Sequence, residues 1–218
     1  MLKAVLFDMD GVIVDTEPLH YKAYHKMFND YNIHVNKALY ESLTGQSTKN
    51  VCKKLCNHFN LNVNENELVD RKRYHFKDLF FNDPSLKLID GVHDIIKEYH
   101  KNGITLVLAS SASMLTINNV FTKFDLDQYF IAKLSGADLK ASKPHPEIFI
   151  NAAEASGFKR KECLVIEDST SGIKAAFDAG IYCIGYDSLN SKNQDYSLAN
   201  KVVSNFNEIP FEKVKNLI

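Results

Sequence analysis

The sequence predicts an α/β protein: a doubly wound, Rossmann-like parallel sheet with a small all-helical domain inserted after the first strand. From about Leu88 onward, short apolar runs alternate with segments of helical length, which is typical of right-handed βαβ units. Residues 17–80 instead carry apolar side chains at about four-residue spacing, the helical period, and contain no convincing strand. We therefore expect a core of residues 1–15 and 85–218 and an inserted helical domain of residues 16–84.

The first strand is predicted from the apolar run of residues 3–7, which ends at Asp8. The inserted domain follows closely, and Pro18 marks the start of its first helix. The helices predicted in this domain span residues 17–30, 47–59 and 65–80.

The core resumes with a helix that opens at Asp90-Gly91 and closes at Asn102-Gly103. The elements predicted after it are a strand at 104–109, a helix at 113–123, a strand at 131–134, a helix at 146–156, a strand at 163–166, a helix that runs to Ala179-Gly180, a strand at 181–185, an edge strand at 201–203 and a short helix after Pro210. The polar stretch 187–198 is predicted to be a surface loop.

Composition argues against several classes of function. The chain of 218 residues has a formal net charge of −1, and its basic run Arg71-Lys72-Arg73 is too small for a nucleic-acid or membrane surface. No apolar run approaches the roughly 20 residues of a membrane span, and Met1 leads into the first strand without a secretory leader. Four scattered cysteines do not form a disulfide scaffold. We expect a cytoplasmic monomer that binds neither nucleic acid nor membranes.

Polar residues collect where the predicted strands end. Because parallel strands place their carboxyl ends on one edge of the sheet, these residues are expected to converge there. Each cluster alone also fits a turn or a helix cap, but four clusters on one edge favour a real site. The clusters are Asp8 with Asp10, Ser110-Ser111-Ala112-Ser113, Ser142-Lys143-Pro144 and Glu167-Asp168-Ser169.

The residue types at this edge point to phosphate chemistry. The acids supply oxygen donors without sulfur or nitrogen, which suits Mg²⁺ better than Zn²⁺. Ser110 can donate a hydrogen bond to a phosphate oxygen, and Lys143 can neutralise charge on a nucleophile and on a transferring group. The metal ligands expected on this basis are Asp8, Asp10, Glu167 and Asp168.

With these residues in place, the chain resembles the haloacid dehalogenase superfamily, and within it the β-phosphoglucomutase-like phosphatases that carry a helical cap. The resemblance covers the whole chain, including the inserted domain, which we call the cap (residues 16–84). Four motifs match in order: Asp8-Met9-Asp10-Gly11-Val12, Ser110 after Leu108-Ala109, Lys143-Pro144 and Glu167-Asp168-Ser169.

The resemblance implies a role for each motif residue. Asp8 is then the nucleophile that forms an aspartyl-phosphate, and Asp10 is the general acid and base. Asp8 and Asp168 are implied as direct Mg²⁺ ligands, with the Asp10 backbone carbonyl, and with Glu167 bound directly or through water. The residues implied to hold the transferring phosphoryl group are Ser110, Ser111 and Lys143.

The cap residues are compatible with two activities, a phosphatase and a mutase. Thr16, His20, Gly45 and Lys72 align plausibly with substrate-binding positions of β-phosphoglucomutases. Those mutases, however, carry an arginine after the Gly-x-Ser motif to grip a second phosphate, and this chain has Thr48 there, followed by Lys49. His20 also fits an exposed histidine at a helix start, and Lys72 also fits a solvated helix face.

We therefore predict a Mg²⁺-dependent phosphatase that hydrolyses a small phosphorylated metabolite, a sugar phosphate, under a closing cap. The alternative within the superfamily is a β-phosphoglucomutase that interconverts β-glucose 1-phosphate and glucose 6-phosphate. A non-catalytic binding protein is disfavoured, because the motif acids and Lys143 are intact.

Overall fold

The computed structural model describes residues 1–43, 48–187 and 193–218. Its strands are β1 (Ala4–Phe7), β2 (Thr105–Ser110), β3 (Phe130–Ser135), β4 (Cys163–Glu167), β5 (Tyr182–Tyr186) and β6 (Lys201–Val203). Its helices are α1 (Glu17–Asp30), α2 (Lys37–Leu43), α3 (Thr48–Phe59), α4 (Glu65–Asn82), α5 (Val92–Lys101), α6 (Met114–Phe124), α7 (Glu147–Ser156), α8 (Thr170–Asp178) and α9 (Phe211–Val214).

The six strands form one parallel sheet in the order β3-β2-β1-β4-β5-β6. This doubly wound arrangement confirms the predicted fold class, and β1 lies at its centre between β2 and β4. Phe7, the last residue of β1, pairs with Leu108 and with Ile166. The three central strands therefore reach the same edge of the sheet together, and the residues that follow Phe7 and Ile166 become neighbours.

The core of the sheet is apolar on both faces, as a parallel sheet covered by helices requires. All four residues of β1 are buried. Helices α7 and α8 pack on one face, where Phe149 and Ile173 join residues of β1, β2, β4 and β5 in a single cluster. Cys163 and Cys183 belong to this cluster as buried free thiols. The loops at the strand ends are therefore anchored to a packed apolar core.

Residues Thr16–Leu86 form a compact unit of their own, separate from the unit made by Met1–Asp15 and Lys87–Ile218. The apolar core of the smaller unit includes Met27 from α1, Leu55 from α3 and Leu68 from α4. Helix α2 is an addition to the three helices that the sequence predicted for this region. It spans only seven residues, and the Asn36 carboxamide accepts a hydrogen bond from the Leu39 N–H at its start.

In the ranges described, no helix combines the length and the apolar character needed to cross a membrane.

Candidate active site

Lys143 lies at the centre of a buried polar cluster at the carboxyl edge of the sheet. Its Nζ donates to Asp8 Oδ1 at 2.5 Å, to Glu167 Oε1 at 2.9 Å and to the Ala109 carbonyl at 3.0 Å. An ammonium group has three protons, so these acceptors satisfy all of them. Nζ also lies 4.8 Å from the centre of the Phe149 ring. The sequence prediction that the strand-end motifs converge is therefore correct for Asp8, Lys143 and Glu167.

Burial and charge shape the protonation of this cluster. The pKa of Asp8 is raised well above its ordinary value because burial disfavours the carboxylate, and the charges of Glu167 and Asp168 add to this effect against the opposing charge of Lys143. Burial alone would lower the pKa of Lys143, but the carboxylates of Asp8 and Glu167 outweigh it and hold the pKa above its usual range. Lys143 is thus a permanent cation beside an aspartate whose negative charge is disfavoured.

Glu167 is engaged on both of its carboxylate oxygens. Lys143 donates to Oε1, while Oε2 accepts from the Ser169 backbone N–H at 2.6 Å and from the Ser169 hydroxyl at 3.0 Å. Ser169 also accepts from the Gly172 N–H at 3.0 Å, so it caps α8. The Glu167 side chain is therefore a bridge between the lysine and the first turn of α8.

Gly172 provides the space that Glu167 occupies. A Cβ atom added at Gly172 would lie 1.6 Å from Glu167 Oε1. Gly172 is a helical residue of α8 without a positive φ, so the restriction at this position is steric rather than conformational.

Replacing Gly172 with alanine is expected to displace the Glu167 carboxylate and thereby loosen Lys143. Supporting residues of this kind typically change activity by about 10- to 100-fold when mutated, and overpacking lowers the free energy of unfolding by about 1–3 kcal/mol. Steady-state kinetics and urea denaturation measure both effects. Lys174→Ala, at an exposed position of the same helix, is the control. Equal activity of Gly172→Ala and wild type would show that Glu167 does not need this position.

Gly11 brings Asp168 close to the loop that follows β1. Gly11 has a φ of +86°, a conformation that favours glycine, and an added Cβ would lie 1.9 Å from Asp168 Oδ2. Asp168 is buried, and its charge acts on Asp8. Asp10 is half-buried in the same loop and forms an isolated bridge with Val14. The two aspartate motifs therefore adjoin each other.

Ser110 is the last residue of β2 and is buried. Its Oγ accepts a hydrogen bond from the Ala112 N–H at 3.1 Å, which orients the hydroxyl within the loop. Ser110 does not cap the following helix, because Ser113 is the residue that caps α6. Ser111, the next residue, is exposed.

Ser135 is a site-supporting residue that the sequence analysis missed. It ends β3, pairs with Ser110 in the sheet, and donates from its hydroxyl to the Ala112 carbonyl at 2.8 Å. It thus fixes the loop that carries Ser110. The rule that polar residues collect at strand ends would have found it, since it follows the predicted strand 131–134 directly.

The fit of the acids to a metal ion rests on charge and donor type. Lys143 contacts the carboxylates of Asp8 and Glu167, and the charge of Asp168 also acts on Asp8, so the acids outnumber the one ammonium group. Oxygen donors and this excess suit a hard divalent cation. Within the described ranges, however, no group of three or more His, Cys, Asp or Glu side chains is arranged to hold a metal ion. Both carboxylate oxygens of Glu167 accept hydrogen bonds, and its role as a Mg²⁺ ligand, direct or through water, stays a prediction.

In the smaller unit, His20 and Lys72 form a contact of their own. Lys72 Nζ lies 2.6 Å from His20 Nδ1, and as a cation it is the donor. His20 stacks on Phe76 with ring centres 4.3 Å apart, and Lys72 Nζ lies 4.7 Å from the centre of that ring. Lys72 is only 3% exposed, so the alternative of a solvated lysine is wrong. Thr16 is buried, and its carbonyl accepts from the His20 N–H.

Four further cap positions, at and just after the Gly-x-Ser motif, have different outcomes. Gly45 and Ser47 lie outside the described residues. Thr48 is hydrogen-bonded to the phenol of Tyr24, and Lys49 is exposed. The hydroxyl at the position where the mutases carry an arginine is therefore engaged inside the smaller unit.

The environment of His20 predicts a pH dependence of stability. Burial and the charge of Lys72 lower the pKa of His20 from 6.5 to about 3. Between these values the unfolded chain binds a proton that the folded chain does not, so stability falls as the pH drops below about 6.5. The slope is at most about 1.4 kcal/mol per pH unit. Urea denaturation across this window should show a shallower dependence for His20→Asn than for wild type, whereas exposed His34→Asn serves as the control. Identical slopes for His20→Asn and wild type would contradict the assignment.

An all-parallel doubly wound sheet with a buried aspartate–lysine–glutamate cluster at the ends of its central strands defines an α/β enzyme. The model of the family described as haloacid dehalogenase-like hydrolase matches residues 5–186. The chain belongs to this family, as the sequence motifs predicted.

Named relatives span nearly the same length. A phosphorylated carbohydrates phosphatase of Thermotoga maritima is 30% identical over 197 residues, which cover 90% of each chain. A fructose-1-phosphate phosphatase of Escherichia coli is 27% identical over 182 residues and covers 81% of this chain and 92% of its own length. The solved structure of a β-phosphoglucomutase from Clostridium difficile has a TM-score of 0.78 and 27% identity, with coverage of 99% of this chain and 96% of that one.

Proposed function

We propose that this protein is a Mg²⁺-dependent phosphatase that hydrolyses a small phosphorylated sugar through an aspartyl-phosphate on Asp8. The observation that carries the proposal is the contact of Lys143 with both Asp8 and Glu167 at the edge where the three central strands end. A carboxylate and a phosphate ester repel each other, and a fixed buried cation reduces that repulsion at the atom that must attack.

In the first step, Asp8 attacks the phosphorus and the bond from phosphorus to the sugar oxygen breaks. Lys143 binds Asp8 Oδ1, so we assign the attack to Oδ2. Asp10 gives its proton to the departing sugar oxygen, which leaves as an alcohol. Ser110 donates from its hydroxyl to a phosphoryl oxygen, since its Oγ already accepts from Ala112.

In the second step, water attacks the phosphorus of the aspartyl-phosphate, and inorganic phosphate leaves as Asp8 is regenerated. Asp10, now a carboxylate, takes the proton from that water. Magnesium, held by Asp8, Asp168 and the Asp10 main-chain carbonyl, would neutralise the excess negative charge of the site and of the phosphoryl oxygens. Glu167 acts through Lys143 and orients its ammonium.

Similarity to named phosphatases supports the choice of substrate class. The Thermotoga maritima and Escherichia coli relatives are named for phosphorylated carbohydrates and for fructose 1-phosphate. Mutase activity is less well supported, because a mutase must grip a second phosphate, for which a bidentate arginine is suited. Thr48 stands at that position and bonds to Tyr24.

A panel of sugar phosphates assayed for phosphate release, with and without Mg²⁺, tests the proposal. We expect Mg²⁺-dependent release of inorganic phosphate, with Asp8→Asn as the control for contaminating phosphatases. For the mutase, β-glucose 1-phosphate with a trace of the bisphosphate would instead yield glucose 6-phosphate without free phosphate. That outcome, or a failure to turn over any ester, would contradict the proposed function.

A further inference from the structure

The loop between β5 and β6 reaches the site through Tyr196. The Tyr196 hydroxyl lies 3.1 Å from the main-chain carbonyl of Asp168 and 3.3 Å from that of Tyr186, and it is also hydrogen-bonded to the Asp187 side chain, so these three groups share its single proton. The ring lies against Gly185 of β5, where an added Cβ would come within 2.8 Å of Tyr196 Cδ1. Residues 188–192 of the predicted surface loop 187–198 lie outside the described residues; residues 193–198 are irregular and mostly exposed, as predicted, with Tyr196 half-buried among them.

Gln194 and Asp195, the two residues before Tyr196, form hydrogen bonds with Thr170. Gln194 Oε1 accepts from the Thr170 N–H at 2.8 Å and from the Thr170 hydroxyl at 3.0 Å. The Asp195 N–H donates to Thr170 Oγ1 at 2.7 Å. Segment 194–196 is thus bonded to the chain at Asp168 and at Thr170, on either side of Ser169.

We propose that Tyr196 is a positioning residue for the turn that carries Glu167 and Asp168, and that it thereby sets the affinity of the site for Mg²⁺. The inference rests on the proposed function, since the cation belongs to that mechanism. The Asp168 side chain can remain against Gly11 only while its own main chain is fixed. The hydrogen bond from Tyr196 fixes that main chain from outside the motif, in the manner of groups that orient metal ligands.

Tyr196→Phe removes the hydroxyl but keeps the ring that packs on Gly185. We expect Mg²⁺, titrated into the substrate-free protein by calorimetry, to bind about tenfold more weakly than to wild type. Amide hydrogen exchange at residues 168–170 should become faster. Turnover should fall at low Mg²⁺ and recover at saturating Mg²⁺, a rescue that general destabilisation would not produce.

Tyr129→Phe is the matched control. It makes the same chemical change in the same unit, but Tyr129 lies just before β3, at the opposite edge of the sheet, with its ring against His93 and His100. Unchanged Mg²⁺ affinity and unchanged amide exchange in Tyr196→Phe would overturn the inference. Absence of phosphate release by wild type would overturn the proposed function instead, and the calorimetric comparison of the two variants would still decide the role of Tyr196.

Discussion

Asp8→Asn is expected to abolish phosphatase activity, with a loss on the order of 10⁴-fold, the size seen when a residue of a nucleophilic catalytic unit is removed. The amide cannot form the acyl-phosphate, although it has nearly the shape of the carboxylate. Phosphate release from the best sugar phosphate measures the effect. Activity within about tenfold of wild type, the scale of a supporting role, would exclude Asp8 as the nucleophile.

The same variant is expected to keep its stability. Burial and the charges of Glu167 and Asp168 raise the pKa of Asp8, which means that its negative charge is disfavoured in the folded protein despite Lys143. Removing that charge also leaves Lys143 paired with Glu167, so the free energy of unfolding should not fall. Asp127→Asn is the matched control, because Asp127 also pairs with a lysine but is 55% exposed. A large loss of stability in Asp8→Asn alone would mean that Asp8 is mainly structural.

Lys143→Met is expected to remove both activity and stability. Methionine has nearly the length of lysine, so the change creates little cavity, but it leaves Asp8 and Glu167 buried without their cation. Breaking a buried ion pair by removing one partner costs about 3–5 kcal/mol. Urea denaturation measures the loss, and phosphate release should fall to the level of Asp8→Asn.

Two comparisons isolate the cause of that loss. Lys174→Met removes an exposed lysine that pairs with Asp178, and it should change stability by at most about 1 kcal/mol. Adding Asp8→Asn to Lys143→Met should restore part of the stability, because one unpaired carboxylate is then gone. If Lys143→Met is as stable as wild type, the cluster does not depend on this cation.

The alternation of strands and helices was sufficient to predict the core. The central strands are short, apolar and bounded by glycine or polar residues, so their parallel order and common edge followed from general rules. Those rules predict that Asp8, Lys143 and Glu167 lie together, and the contacts of Lys143 with both acids confirm it. Helix α2 was missed because seven residues supply too few turns for a clear helical period.

The parts of the site that depend on tertiary contacts were harder to predict. Tyr196 meets Asp168 across 28 residues of chain, and no local pattern signals such a contact. Lys72 was ambiguous because it lies in a basic run that resembles a solvated face. Its spacing from Leu68, His75 and Leu79 places it on the buried face of α4, and this periodicity was the available signal.

The stereochemical course at phosphorus distinguishes attack by Asp8 from direct attack by water. The substrate is a sugar phosphorothioate ester whose phosphorus is made chiral with oxygen isotopes, hydrolysed in isotopically labelled water. Attack by Asp8 followed by attack of water inverts the phosphorus twice, so we expect net retention of configuration. Net inversion would show that water attacks the ester directly, and it would contradict the aspartyl-phosphate on Asp8.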